Sequence, residues 1–217
     1  MKTSYLFHTL FLCLFALSIQ AQHSMQETFK HQAINDPDPK IRTYALQRLE
    51  DQSTIAFVAQ NDSHTDIRSL AVDMLTHQGA LKFVACNDRI ADIRRQAILK
   101  LTDESALGFV AKNDSRTDLR MLALNRISDQ GTIRFIAHND RIVSVRLRAV
   151  ELLTDQKGLA FVAKNDRVVK VRLAALHKLT DLATIQFITL NDQDAKVRRT
   201  ALELLEELQS EAQFQKF

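Results

Sequence analysis

Apolar and polar positions along this chain recur with a period of 26 residues. Asp155 to Thr180 reads DQKGLAFVAKNDRVVKVRLAALHKLT, and the preceding Asp129 to Thr154, DQGTIRFIAHNDRIVSVRLRAVELLT, is identical to it at 14 of 26 positions. The same skeleton extends both ways, with Phe57, Phe83, Phe109, Phe135, Phe161 and Phe187 each followed four and five residues later by Asn-Asp. A fixed period in the range of about 20 to 50 residues is the mark of a repeat array. The apolar spacing within one period predicts two helices. The segment Thr54-Ile55-Ala56-Phe57-Val58-Ala59 is a short first helix (helix A), apolar on most sides. After Asn-Asp, the positions of Ile67, Ala71, Val72 and Leu75 fall on one face of a 3.6-residue period and define a second helix (helix B). The expected fold is all-α, an α-solenoid of about seven two-helix repeats.

Local chemistry suggests where these helices begin and end. Thr102-Asp103, Ser128-Asp129, Thr154-Asp155 and Thr180-Asp181 precede helix A and can accept hydrogen bonds from its first N–H groups. The Asp of Asn-Asp is expected to cap helix B in the same way, with Pro37 after Asp36 at the first helical position. The preceding Asn (Asn35, Asn61, Asn87, Asn113, Asn139, Asn165, Asn191) is expected in the turn, where Asn tolerates a left-handed backbone. The end units depart from the pattern. His31 stands where an aromatic is expected, and the last helix B runs on into Glu203, Glu206, Glu207 and Glu211, as terminal capping units do. One unit has too few apolar side chains to offset the ordering of its backbone, so neighbours must share a core.

Arg42, Arg68, Arg94, Arg120, Arg146, Arg172 and Arg198 hold the same place in every helix B, within its apolar face. A guanidinium buried there requires a carboxylate. The acid that recurs in every unit stands six residues earlier: Asp36, Asp62, Asp88, Asp114, Asp140, Asp166 and Asp192. A ladder of charge-assisted hydrogen bonds along the array is the expected arrangement, and seven arginines gripping a polyanion is the competing one.

The pattern Asn-Asp-x4-Val-Arg-x2-Ala-Leu-x2-Leu, as in Asn165 to Leu179, resembles the HEAT repeat. The likeness covers nearly all of the chain from about residue 25, with units shorter than ordinary HEAT units and without their usual helix-A proline, closer to short bacterial HEAT-like and leucine-rich-repeat-variant families. In such repeats an Asp and an Arg six apart bridge neighbouring units. The resemblance implies an interaction scaffold in most cases and, in a few, an enzyme such as a bilin lyase or a DNA glycosylase. It also implies that helix B lines the concave surface.

Composition narrows the choice. The chain has 217 residues with 4 Gly, 2 Pro and no Trp, and a formal charge of +3. Residues 1–21 lie outside the repeat, with Lys2, an apolar run from Tyr5 to Ile19 and then small residues, the pattern of a signal peptide cut after Ala21 or after Ser18. The repeat domain then spans 22–217. Leu12 ahead of Cys13 is too bulky for lipoprotein processing. If the segment is retained it is an anchor, although its ~15 apolar residues fall short of the ~20 of a spanning helix. The expected location is therefore extracytoplasmic, periplasmic or secreted, with membrane association only if the segment stays uncleaved. Removing it leaves 28 basic and 26 acidic residues, a balance with no strong pull toward nucleic acid. Cys86 is then the sole cysteine, so packing rather than a disulfide must hold the fold.

No Gly-rich phosphate loop, zinc-type Cys/His spacing or Gly-x-Ser-x-Gly elbow occurs. No catalytic residue, metal site or cofactor is expected. His64, His77, His138 and His177 are scattered over variable positions and read as solvated surface. A partner surface is sought on helix B. The row matching Ser69 reads Ser69, Arg95, Met121, Leu147, Leu173, Arg199, and with Leu122 and Leu152 it forms an apolar strip that either receives a partner or packs against neighbouring layers. The row matching Asp66 runs from Asp66, Asp92 and Asp118 through Ser144 to Lys170 and Lys196, acidic then basic. The expected function is a non-catalytic scaffold binding an unidentified protein or peptide on the helix-B face. The alternative is an enzyme or polyanion-binding protein on a HEAT-like frame, bilin-lyase-like or nucleic-acid-binding.

Overall fold

A computed structural model describes the backbone from Lys2 to Phe214 and the side chains from Phe15 to Glu211. The side chains of Cys13 and of most of the apolar run from Tyr5 lie outside the described residues. The described chain is all-helical. α1 (Lys2–Asn35) and α2 (Pro39–Leu46) form the first hairpin. α3 (Gln52–Asn61) with α4 (Thr65–Met74), and α5 (Gln78–Asn87) with α6 (Ala91–Lys100), form the next two. Then follow α7 (Glu104–Asn113) and α8 (Thr117–Leu124), α9 (Gln130–Asn139) and α10 (Val143–Leu152), α11 (Gln156–Asn165) and α12 (Val169–Leu176), and α13 (Leu182–Asn191) and α14 (Ala195–Phe214).

The chain divides into two compact units, Met1–Leu101 and Thr102–Phe217. Within each, helices B stack on helices B and helices A on helices A, so each is an α-solenoid of two-helix repeats. No helix among the described residues is long and apolar enough to cross a membrane.

The core follows the apolar spacing. In the first unit Ile55, Val58 and Ala59 of α3 meet Ile67, Ala71, Val72 and Leu75, each at most 3% exposed. In the second, Leu119, Ala123 and Leu124, Val145, Ala149 and Val150, and Val171, Ala175 and Leu176 are fully buried in successive helices B. Because helices of this length are marginal alone, these shared interiors carry the stability.

Helix ends differ from the sequence expectation in three respects. Asp51, Asp103, Asp129, Asp155 and Asp181 do cap the helices A, each carboxylate accepting backbone N–H groups of the first turn. The Asp of Asn-Asp, by contrast, closes helix A and does not cap helix B. The helix-B N-caps are His64, Ile90, Arg116, Ile142 and Val168, two residues on, and none supplies a side-chain bond. The Asp carboxylate instead accepts the N–H of that second residue, as His64 N–H donates to Asp62 Oδ1 at 2.8 Å, which closes a side-chain turn and delays the helix. In the first hairpin it is Pro39, following the cap Asp38, that takes the first helical position in place of Pro37.

The Asn is not left-handed either. No described non-glycine residue has positive φ. Asn61, Asn87, Asn113, Asn139, Asn165 and Asn191 are each the last residue of a helix A, and each donates Nδ2–H to the carbonyl of the Phe four residues earlier at 2.8 Å. The amide satisfies one of the open carbonyls at the helix end without leaving the right-handed region.

Arg42, Arg68, Arg120, Arg146 and Arg172 find their carboxylates in the following repeat, as a ladder along the array. Arg42 donates Nε–H and Nη2–H to Asp62 at 2.7 and 3.1 Å. Arg68 meets Asp88 at 2.8 and 3.3 Å, and Arg120 meets Asp140 at 2.8 and 3.1 Å. Arg146 with Asp166 and Arg172 with Asp192 repeat the geometry at 2.7 to 3.0 Å. The Asp six residues earlier contributes its main-chain carbonyl, to which Nη1 donates, at 2.9 Å for Asp36, Asp62 and Asp88. The guanidinium thus clamps one repeat's turn to the next repeat's carboxylate. At Asp62 burial raises the pKa, but the hydrogen bonds from Arg42 and the His64 N–H outweigh it and the net shift is downward. Arg42 is correspondingly raised, chiefly by its bond to Asp62.

A second bridge joins repeats at the other end of the hairpins. Gln52 at the start of α3 accepts from Thr76 N–H at 2.8 Å and donates to the Met74 carbonyl at 3.3 Å, tying one helix A to the following loop. Gln130 with Thr154 and Gln156 with Thr180 repeat it at 2.8 and 2.9 Å.

Arg146→Ala leaves the Asp166 carboxylate buried with its partner gone, and a loss of about 3–5 kcal/mol is expected in urea unfolding. An isosteric apolar pair, Arg146→Met with Asp166→Leu, is expected to recover most of it; a loss no larger than at an exposed control site would remove the relay as a source of stability.

Candidate functional site

Once the interior is filled, two rows of apolar side chains remain to be placed, one on each helix type. The helix-B strip lies mostly in the second unit. Met121, Leu122, Leu147, Leu152 and Leu173 are all half-buried there, while Lys170 and Arg199 are exposed. In the first unit Arg95 is half-buried. These side chains are neither core nor open surface. Polar neighbours are tied up between layers: Arg148 donates Nε–H to Asn125 Oδ1 at 2.6 Å and pairs with Glu151 at 2.9 Å. Lys178 donates to the Val150 carbonyl at 2.9 Å, and burial holds its pKa below the usual lysine range. In the first unit Ser69 donates to Gln96 Oε1 at 3.0 Å.

The row matching Asp66 is exposed or half-exposed throughout. Within the second unit it passes from Asp118, held by Arg116 at 2.9 Å, through Ser144 to Lys170 and Lys196.

The more open row is on helix A. Phe57, Phe83, Phe109, Phe135, Phe161 and Phe187 are each between 48% and 52% exposed. Their recurrence is plain in the sequence, but the period marks them only as repeat positions. Their exposure comes from the outward tilt of that helix face, since Ile55 and Val58 on either side are buried. Shallow grooves open beside the rings, between Phe57 and Phe83 in the first unit and next to Phe161 in the second. In the first unit Ala56, Phe57, Gln60, Gly79 and Phe83 line one, and in the second Lys157, Ala160, Phe161, Lys164 and Thr184 line another.

In the second unit the residue before Asn113, Asn139 and Asn165 reaches the next repeat's ring. Lys112 Nζ sits 5.7 Å from the Phe135 centroid and Lys164 Nζ 5.7 Å from that of Phe187, in range for cation–π attraction. His138 stacks on Phe161 at 4.3 Å, with Nε2 3.4 Å from the Gly158 carbonyl oxygen. That histidine is therefore half-buried rather than solvated. Burial lowers its pKa from 6.5, the Gly158 carbonyl opposing and Arg134 reinforcing the shift.

The other described histidines sit on the surface, two of them with local tasks. His77 caps α5, accepting the Ala80 N–H at 3.2 Å, and His64 Nδ1 lies 2.9 Å from Arg42 Nη2. Cys86 is half-buried. No group of three or more metal-ligating side chains occurs among the described residues. Comparison with protein-family models, with curated proteins and with solved structures finds no match to this chain.

His138 is expected to titrate below 6.5 by NMR and to move toward 6.5 in Phe161→Ala. As its depressed pKa favours the neutral ring in the fold, stability from this site is full above pH 6.5 and declines as pH falls below it. An unchanged titration midpoint in Phe161→Ala would show that the ring does not bury the imidazole.

Proposed function

We propose that this chain is a non-catalytic interaction scaffold of the HEAT-like kind, acting outside the cytoplasm after removal of residues 1–21, and that it holds a partner protein through an extended, acidic peptide segment. The supporting observation is the helix-A row, one half-exposed phenylalanine in each repeat from α3 to α13. Exposed apolar surface repeated in register costs solubility and contributes little to the core, which is the profile of a binding face. Packed helices step by roughly 10 Å. A polyproline-type peptide brings every third side chain to one face, ~9 Å apart, so it can place one apolar group at each ring.

Charge selects the remainder of that peptide. The helices A from α3 to α13 carry Lys82, Lys112, Arg134, Lys157 and Lys164 against Glu104 alone. Lys112 and Lys164, already over the rings, are placed to meet carboxylates between the peptide's apolar residues. The helix-B strip of the second unit, Met121, Leu147 and Leu173 with Lys170 and Arg199, is the competing surface.

Selection from a random peptide library against the full chain is expected to return acidic peptides with apolar residues three apart. Phe135→Asp with Phe161→Asp should weaken them at least about tenfold, as loss of aromatic anchors does, without moving the melting temperature by more than a few degrees. Met121→Asp with Leu147→Asp should leave them bound. If the helix-B pair abolishes binding and the phenylalanine pair does not, the helix-A face is excluded.

A further inference from the structure

Within each unit a repeat gives its arginine to the next repeat and receives one from the last, so the first and last repeats of the chain are left incomplete in opposite senses. At the start, the Asp36 carboxylate accepts among the described residues only the Asp38 N–H, at 2.9 Å on Oδ1. The equivalent Asp62 accepts the same local bond and, in addition, two from Arg42. At the finish, Arg198 donates Nη1–H to the Asp192 carbonyl at 2.7 Å and makes no ion pair among the described residues. One end presents a carboxylate without its guanidinium and the other a guanidinium without its carboxylate.

The apolar positions show the same asymmetry. Ile41 is 38% exposed, whereas its equivalents Ile67, Ile93, Leu119, Val145, Val171 and Val197 are at most 3% exposed. Leu202 is 44% exposed, whereas Leu46, Val72, Ile98, Leu124, Val150 and Leu176 are all at 0%. The last repeat also places leucines where the others are polar. Leu182 takes the position of Gln52, Gln130 and Gln156, which bond the next repeat, and is 40% exposed. Leu190 takes the position of Lys112 and Lys164, which lie over the next repeat's ring, and is 72% exposed. α14 continues as one helix through Phe214, past the point where the other repeats turn into a helix A, so its own hairpin supplies no cover for these side chains.

We propose that a second copy of this chain covers the open end, head to tail, with Arg198 of one copy on Asp36 of the next and the Leu182, Leu190 and Leu202 face against the layer bearing Ile41. The junction reproduces the interior step between repeats. Such a contact joins two different surfaces, so it propagates into an open assembly or closes into a ring. Charge complementarity selects this occupant: a tail-to-tail pair would oppose two Arg198 side chains. The inference does not require the peptide-binding reading of the phenylalanine row.

Sedimentation velocity of the full chain over a concentration series tests it. Concentration-dependent species at multiples of the monomer mass are expected, with Arg198→Glu and Asp36→Arg each raising the midpoint of association at least about tenfold. An equimolar mixture of the two variants should associate again, because every junction then joins opposite charges, either the two introduced side chains or the two native ones. Leu190→Lys, at a site too exposed to affect folding, should also block association. A chain monomeric at every concentration, association indifferent to all three substitutions, or two variants that fail to restore each other would each overturn the proposal; the second of these outcomes would assign self-association to the apolar N-terminal segment.

Discussion

The buried Arg–Asp bridge is the constraint from which the rest of the architecture follows. A guanidinium at 2 to 8% exposure cannot be left without a carboxylate, and in each bridge described above the carboxylate belongs to the next layer. Each such repeat is therefore completed by its successor in charge as well as in apolar surface. The requirement fixes the register between layers: the Arg must simultaneously reach its own repeat's Asp carbonyl and the following repeat's Asp side chain. Sliding one layer by a helical turn would break both contacts. Apolar packing alone tolerates such slips more readily than a bidentate pair does.

The same Asp carries two duties, and this explains the turn. Its carboxylate accepts a local N–H, which closes the side-chain turn and delays helix B, and in addition the incoming arginine. In the five helices B from α4 to α12 the helix starts two residues later without a side-chain cap. The glutamine bridge at the opposite end of the hairpins adds a neutral counterpart, and between them the two bridges hold both loop edges of each layer that carries them.

A period of this strictness also shapes the surface, because any residue type fixed in the repeat becomes a row. Interior rows become core and relay. The phenylalanine row is the exception, a recurring aromatic that the fold leaves half in solvent, with the variable residues Gln60, Lys112, His138 and Lys164 tuning each step along it. The end layers are where this logic stops, and their unmet carboxylate, guanidinium and leucines are the direct consequence of removing one neighbour.

The all-α class, the two-helix unit, the core positions and the helix-A caps were all legible from the sequence, because they depend on local periodicity and on contacts within a few residues. The identity of the relay's residues was legible too, since a buried arginine needs an acid. Which acid was a matter of three dimensions: Arg146 is closer in sequence to Asp140, yet only the stacking of layers brings Asp166 to 2.7 Å. The end of helix A misled for a similar reason. Asn139 and Asp140 fit a left-handed turn and a cap by composition, but the Phe135 carbonyl and the incoming Arg120 claim their side chains first. The strip of Met121, Leu147 and Leu173 looked as open as the phenylalanines in one dimension. Solvent exposure is a property of the packed stack, and only the tertiary structure decided that Met121, Leu147 and Leu173 are mostly buried while the rings of helix A stay half in solvent.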